Sequence, residues 1–172
     1  MFATLRLTTI FRPTTILLLS VGLLLFTGFS SASAAVAMPQ FSLPSVTDGK
    51  VVDSGDFKGK VILITFFATW CPPCRQEIPQ LVELYNEYKT KGFTVIGLSV
   101  DEGGASVVAK LVQHEKITYP VLMADRATAR SFGGIAGIPT SFLVNRKGHV
   151  VKKYPGFVPH SLLVRDIEAV LQ

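Results

Sequence analysis

The sequence predicts an α/β fold, a central mixed β-sheet flanked by helices on both faces and preceded by an N-terminal β-hairpin extension. Three observations predict it. Two unbroken apolar runs, Val61–Phe67 (VILITFF) and Phe93–Val100 (FTVIGLSV), read as strands buried on both faces, because a strand with one wet face would alternate. Segments with helical spacing separate the strands, and a hairpin followed by a helix closes the chain.

In chain order, Arg6 and Arg12 precede the apolar run Ile16–Phe29, 14 residues long, and the small-residue stretch SSASAAVAM follows it. Basic, apolar and small-residue regions in that order predict a signal peptide over residues 1–37, with cleavage after Ala34 or Ala37. The alternative is an uncleaved anchor, although 14 residues fall short of the ~20 that span a bilayer. No cysteine lies near the cleavage region, which excludes a lipid-anchored precursor. Residues 38–172 then form one domain, with no internal repeat or long linker, placed outside the cytoplasm, in a periplasm or its equivalent.

Asp48–Lys50 (DGK) is a hairpin turn between short strands near Phe41–Leu43 and Val51–Val52. A second turn, Lys58–Lys60, leads into the strand Val61–Phe67. Ile78, Leu81, Val82, Tyr85 and Tyr88 recur at helical spacing from Pro72 until Gly92 stops the pattern. After the strand from Phe93 come a helix over Ala105–Glu115, a short strand in Tyr119–Asp125 and a short helix over Ala127–Phe132. Thr140–Asn145 and His149–Tyr154 form a hairpin around the turn RKG. Ser161–Leu171 is the last helix, with the predicted apolar stripe Leu162, Val164, Ile167, Val170 and Leu171.

Charge excludes little. The whole chain carries a formal +5, and without Arg6 and Arg12 there remain 15 Lys and Arg against 12 Asp and Glu, a net +3. Lys and Arg are scattered along the mature part with no run longer than a pair, which reads as solvated surface and gives no nucleic-acid footprint.

The chemistry concentrates in TWCPPC, residues 69–74, which holds both cysteines of the chain directly after the first buried strand. A structural disulfide with a two-residue spacer closes too small a loop to stabilise much. Zinc needs a second ligand pair, and His114, His149 and His160 do not supply one at the usual spacing. Copper lacks a neighbouring His or Met. A redox couple remains. Cys71 falls at a helix N-cap, where the macrodipole favours its thiolate, so it is the attacking sulfur. Cys74, one turn further in, is the resolving sulfur.

FFATWCPPCRQEIPQL resembles the active-site segment of thioredoxin-like proteins, in particular the TlpA/ResA-type exported thiol–disulfide oxidoreductases with an AhpC/TSA-redoxin-like domain. PQFSLPSVTDGKVV, YKTKGFTVIGLSVDE and GIAGIPTSFLVNRKGHVV extend the resemblance over most of the mature chain. The resemblance implies a thioredoxin-like fold and a cis peptide at Ile138–Pro139, in a loop that faces the cysteines and meets the substrate chain. It implies that Glu77 shapes the acidity of the site; by its position one turn from Cys74, Glu77 is either a partly buried carboxylate that exchanges a proton with a cysteine or a solvated glutamate favoured by the helix dipole. Pro79 matches a helix-kinking proline, and Trp70 belongs to the docking surface. Two departures stand out: Thr65 occupies the place of a buried aspartate that assists proton transfer in thioredoxins, and Phe67 stands where tryptophan is frequent.

Direction of electron flow follows from thiolate stabilisation. Pro72 and Pro73 have no N–H, so two of the first helical donors are missing beside Cys71, which favours a reducing couple. The resemblance implies the same: an exported reductase acting on protein disulfides, with apocytochrome c as a candidate client, a membrane thiol–disulfide transporter as reductant, and no cofactor or metal beyond the Cys71–Cys74 pair. Membrane attachment requires an uncleaved N-terminus. A thiol oxidase or isomerase of the same fold and a Cu(I)-binding assembly factor are the rival expectations. A peroxidase is discounted because its threonine belongs three residues before the cysteine, whereas Thr69 is two before Cys71.

Overall fold

The computed structural model describes residues 36–172. The expected signal or anchor segment lies outside the described residues except for Val36 and Ala37, which already belong to the fold as strand β1 (Val36–Ala37). The other strands are β2 (Ser42–Pro44), β3 (Val51–Asp53), β4 (Val61–Phe67), β5 (Phe93–Ser99), β6 (Val121–Met123), β7 (Thr140–Val144) and β8 (His149–Pro155). The helices are α1 (Pro72–Tyr88), α2 (Ala105–His114), α3 (Arg126–Ser131) and α4 (His160–Leu171). Among these described residues no helix is long and apolar enough to cross a membrane.

Six strands form one mixed sheet in the order β1-β8-β7-β4-β5-β6. β4 is parallel to β5 and antiparallel to β7, so both of its edges are paired and all seven residues are buried. Its alternate side chains enter two cores. Val61, Leu63 and Phe67 join residues of α1, α2 and α4, while Ile62, Ile64 and Phe66 join the hairpin, Phe132 and Phe142 on the other face. A strand that must feed two cores has no position left for a wet side chain, hence the unbroken apolar run. Each such residue contributes about 1.5–3 kcal/mol by burial, which makes the one polar member, Thr65, costly to accommodate.

The antiparallel pair β2–β3 is the expected N-terminal hairpin, and its turn docks on β6 through Val46 N–H to Val121 O at 2.9 Å. The hairpin thereby covers a short edge of the sheet that would otherwise offer free backbone groups. On the same face Phe66 meets Phe132 and Phe142 edge-on, with ring centroids 5.3 and 6.1 Å away. Gly97, inside β5, is required by close approach: a Cβ there would lie 3.1 Å from the Phe67 ring.

α1 buries Cys74, Glu77, Ile78, Leu81, Leu84 and Tyr88 against the sheet, and Val82 and Tyr85 are only partly covered. The stripe expected for α4 needs correction. Leu163 and Ile167 face the core together with Asp166, whereas Leu162 and Val164 lie at the margins. A carboxylate on the inward face disguised that face in the sequence. Burial works against the ionised form of Asp166, but Lys152 Nζ at 2.6 Å, Tyr154 Oη at 2.8 Å and Arg165 outweigh it and hold the pKa down to about 2.

Candidate active site

β4 ends at Phe67, and the chain turns through Ala68–Trp70 into α1, so the cysteines stand at the carboxyl end of a central strand. Cys71 is the N-cap of α1, with extended backbone, and Pro72 and Pro73 occupy the first helical positions. Cys71 and Cys74 are joined in a disulfide with their Cα atoms 5.3 Å apart. Both are nearly covered, at 3% and 2% exposure, so accessibility does not distinguish them. Position does. The one N–H that reaches Cys71 Sγ is that of Cys74, at 3.3 Å, because neither proline can donate. On the other side of the sulfur stands the carbonyl oxygen of Ile138, 3.7 Å away. A partial negative charge at that distance disfavours a thiolate on Cys71, adding to the shortage of donors.

That carbonyl belongs to the loop expected to face the cysteines. The Ile138–Pro139 peptide is cis, Pro139 is buried, and Gly156 N–H donates to Pro139 O at 2.8 Å, which ties the loop to the end of β8. Trp70, next to Cys71, is 68% exposed. An aromatic ring left in water beside a covered disulfide is a ready apolar contact for a partner chain.

Glu77 is 2% exposed, fully inside the protein. Its Oε1 accepts the backbone N–H of Val158 at 2.7 Å, a bond that spans 81 residues. Burial pushes the Glu77 carboxyl up to about 7, and the Val158 bond offsets only part of that. The carboxyl therefore changes protonation near neutral pH, one helical turn from Cys74. Pro79 lies inside α1, two residues beyond Glu77.

Thr65 lies on the α1 side of β4, paired across the sheet with Gly97 and Ser141. Its hydroxyl is buried and finds no hydrogen-bond partner among the described residues. An unpaired buried hydroxyl costs about 1–3 kcal/mol. Replacement by the isosteric valine, Thr65→Val, therefore stabilises the oxidised protein by about 1–2 kcal/mol. Urea unfolding midpoints of the two proteins check it, and a loss of stability would mean that the hydroxyl has a partner.

Sequence reading missed Asp101. This 8%-exposed carboxylate accepts from Thr69 N at 2.9 Å, from Thr69 Oγ1 and from Ser99 Oγ at 2.8 Å. It therefore fixes the turn that carries Trp70 and Cys71 to the end of β5, from 32 residues away. Beside it a cleft of about 550 Å³ opens between Trp70 and Val107, floored by Val100 and Gly103. The pattern SVDE gave no signal of this because nothing in it distinguishes a capping aspartate from a solvated one. Among the described residues no group of three or more His, Cys, Asp or Glu side chains is placed to hold a metal.

Residues 33–171 match the model of the Redoxin family. The thiol–disulfide oxidoreductase ResA of Bacillus cereus is 33% identical over 153 residues, covering 86% of this chain and 87% of that protein. ResA of Bacillus subtilis is 31% identical over 139 residues, 80% of this chain and 76% of that one. Among solved structures, a thiol:disulfide interchange protein of the thioredoxin family from Chlorobium tepidum superposes with a TM-score of 0.76 at 37% identity, over 83% of this chain and all of that one. The fold is thioredoxin-like.

Proposed function

The chain belongs to the Redoxin family and is a thiol–disulfide oxidoreductase, and from there we propose that it is an exported reductase of protein disulfides. The observation that carries the direction is the donor-poor surroundings of Cys71 Sγ. It has one N–H at 3.3 Å and a carbonyl oxygen at 3.7 Å. A thiolate given little help makes the reduced form less stable, and the couple then gives electrons readily.

In the reaction, Cys71 as thiolate attacks one sulfur of a client disulfide. The client S–S bond breaks, a Cys71–client bond forms, and the departing client sulfur takes a proton. Cys74 then loses its proton, with the Glu77 carboxylate as acceptor, and attacks Cys71 Sγ. The Cys71–Cys74 bond closes and the second client sulfur leaves as a thiol. Trp70 and the Ile138–Pro139 loop hold the client chain, the exposed ring by apolar contact and the loop through its backbone groups. Two electrons from a membrane thiol–disulfide transporter reopen the disulfide, and no further cofactor enters.

The basic, apolar and small-residue pattern of residues 1–37 supports export. Removal of residues 1–34 leaves β1 whole, whereas removal through Ala37 takes both of its residues. A reductase in an oxidising compartment keeps chosen cysteines open, and apocytochrome c, whose haem attaches to thiols, is the client we favour. The equilibrium reduction potential tests the proposal. A value near −270 mV, about that of thioredoxin, is expected, and one near about −120 mV, the range of a strong oxidant, would overturn it.

A further inference from the structure

The end of the sheet remote from the disulfide carries a feature that the oxidoreductase chemistry does not use. β4 is seven residues long, so Val61, at its start, lies about 20 Å from Phe67, where the chain turns toward the cysteines. Around that start three turns converge: Lys58–Lys60, Lys89–Gly92 and Asn145–Gly148. Arg146 knits them together, donating to Gly59 O at 3.3 Å and to Lys91 O at 2.9 Å. Lys58, Lys60, Lys89, Lys91, Arg146 and Lys147 are all exposed there. The scattering of cations along the sequence is thus undone by the fold.

None of these six cations pairs with a carboxylate among the described residues. Lys60, Lys89 and Lys91 instead hold their ammonium groups over the rings of Phe57, Tyr85 and Tyr88, at 5.8, 5.5 and 4.5 Å. An aromatic face attracts a cation without cancelling its charge. Asp53, Asp56 and Glu87 are the nearest acids along the same segments, and Glu168 Oε1 accepts from Oη of Tyr88, the ring beneath Lys91, at 2.9 Å, so four acids stand against the six cations. Asp53 and Asp56 are engaged in capping the turn Ser54–Phe57. The end as a whole stays positive. A cavity of about 400 Å³ opens among the cations, between Lys58 and Lys60 on one side and Lys147 and His149 on the other.

We propose that this basic end docks on an anionic lipid surface, its cations meeting headgroup phosphates while the disulfide faces away. A lipid surface fits better than an acidic protein because of where the chain enters the fold. β1 pairs with β8 at Val150 and His149, and Met38 N–H reaches Gly148 O at 2.8 Å, so the first strand lies against the basic turn. In the sequence only six residues, Ser30–Ala35, separate β1 from the apolar run that ends at Phe29. Six residues reach at most about 20 Å. The docking rests on the exported reading given above, in which the apolar run brings this end of the fold to the membrane at export whether it is then cleaved or kept as an anchor, and it needs no contribution from the cysteines.

The test adds residues 35–172, the form that cleavage after Ala34 leaves with β1 whole, to vesicles of phosphatidylcholine alone and of phosphatidylcholine with phosphatidylglycerol. Phosphatidylglycerol raises partitioning at least tenfold, and the gain disappears near 1 M salt, where screening acts within about 3 Å. The triple variant Lys58→Gln, Lys60→Gln, Lys147→Gln loses at least tenfold of that gain, since each cation near an anionic surface is worth about fivefold. The triple Lys→Arg variant keeps it. Equal partitioning into both vesicles, or a gain that the Gln variant retains, overturns the proposal. Reduction of a soluble disulfide substrate is unchanged in the Gln variant, so a failure of docking and a failure of the reductase reading register separately.

Discussion

Cys74→Ser accumulates client proteins covalently attached through Cys71, whereas Cys71→Ser accumulates none and loses all turnover. The expectation follows from position, because both sulfurs are nearly equally covered. Cys71 is at the N-cap, where the positive end of α1 and the Cys74 N–H favour its ionisation. Cys74 lies within the first turn of the helix, beyond the N-cap position that favours ionisation, and its sulfur is within bonding reach of Cys71 Sγ, so it meets the mixed disulfide from inside the protein. Without Cys74 the mixed disulfide has no internal sulfur to resolve it and persists until an external thiol arrives. Non-reducing electrophoresis of alkylated extracts, followed by mass spectrometry of the adducts, reads the result and names the client. Adducts on Cys74 in the Cys71→Ser variant would reverse the assigned roles.

Glu77→Gln removes a pH dependence of stability centred on the acid-to-neutral range. The carboxyl has a folded pKa of about 7, raised from 4.5 mainly by burial. A raised pKa means that the folded state holds a proton which the unfolded state has released. The associated stability is fully present below pH 4.5, declines as pH rises, and is gone above about pH 7. Gln cannot ionise and still offers an oxygen to the Val158 N–H, so the variant matches the wild type at low pH. At pH 8 it exceeds the wild type by about 3 kcal/mol, since each tenfold change in proton affinity is worth about 1.36 kcal/mol. Urea unfolding of the oxidised proteins from pH 4 to 8 measures the difference, and parallel curves would mean that Glu77 does not titrate in that range. The same substitution flattens the inflection near pH 7 in the rate of client release, because Cys74 no longer has a carboxylate to take its proton.

What the sequence made legible was local. The VILITFF run, the helical spacing from Ile78 to Tyr88 and the turn at DGK each report a single element's surroundings through periodicity, and the structure has all three. The terminal helix follows its predicted bounds, but its inner face is not the predicted apolar stripe, because Asp166 sits on that side with Lys152 and Tyr154 around it. No pattern of period 3.6 reveals a carboxylate whose partners come from another strand. Asp101 and the converging cations at the far end of β4 escaped for the same reason.

Legible in the linear chain are the cysteine pair, its place between a buried strand and a helix N-terminus, and the two prolines that strip donors from Cys71. Those features act through neighbours within a few residues, so order along the chain is enough to specify them. It takes the folded chain to bury Glu77 beneath Val158, to set the Ile138 carbonyl against Cys71, and to gather cations from three distant turns at one end. Protonation state, thiolate stability and surface potential depend on desolvation and on charges within a few ångströms. Folding sets those distances between residues 55 to 87 positions apart.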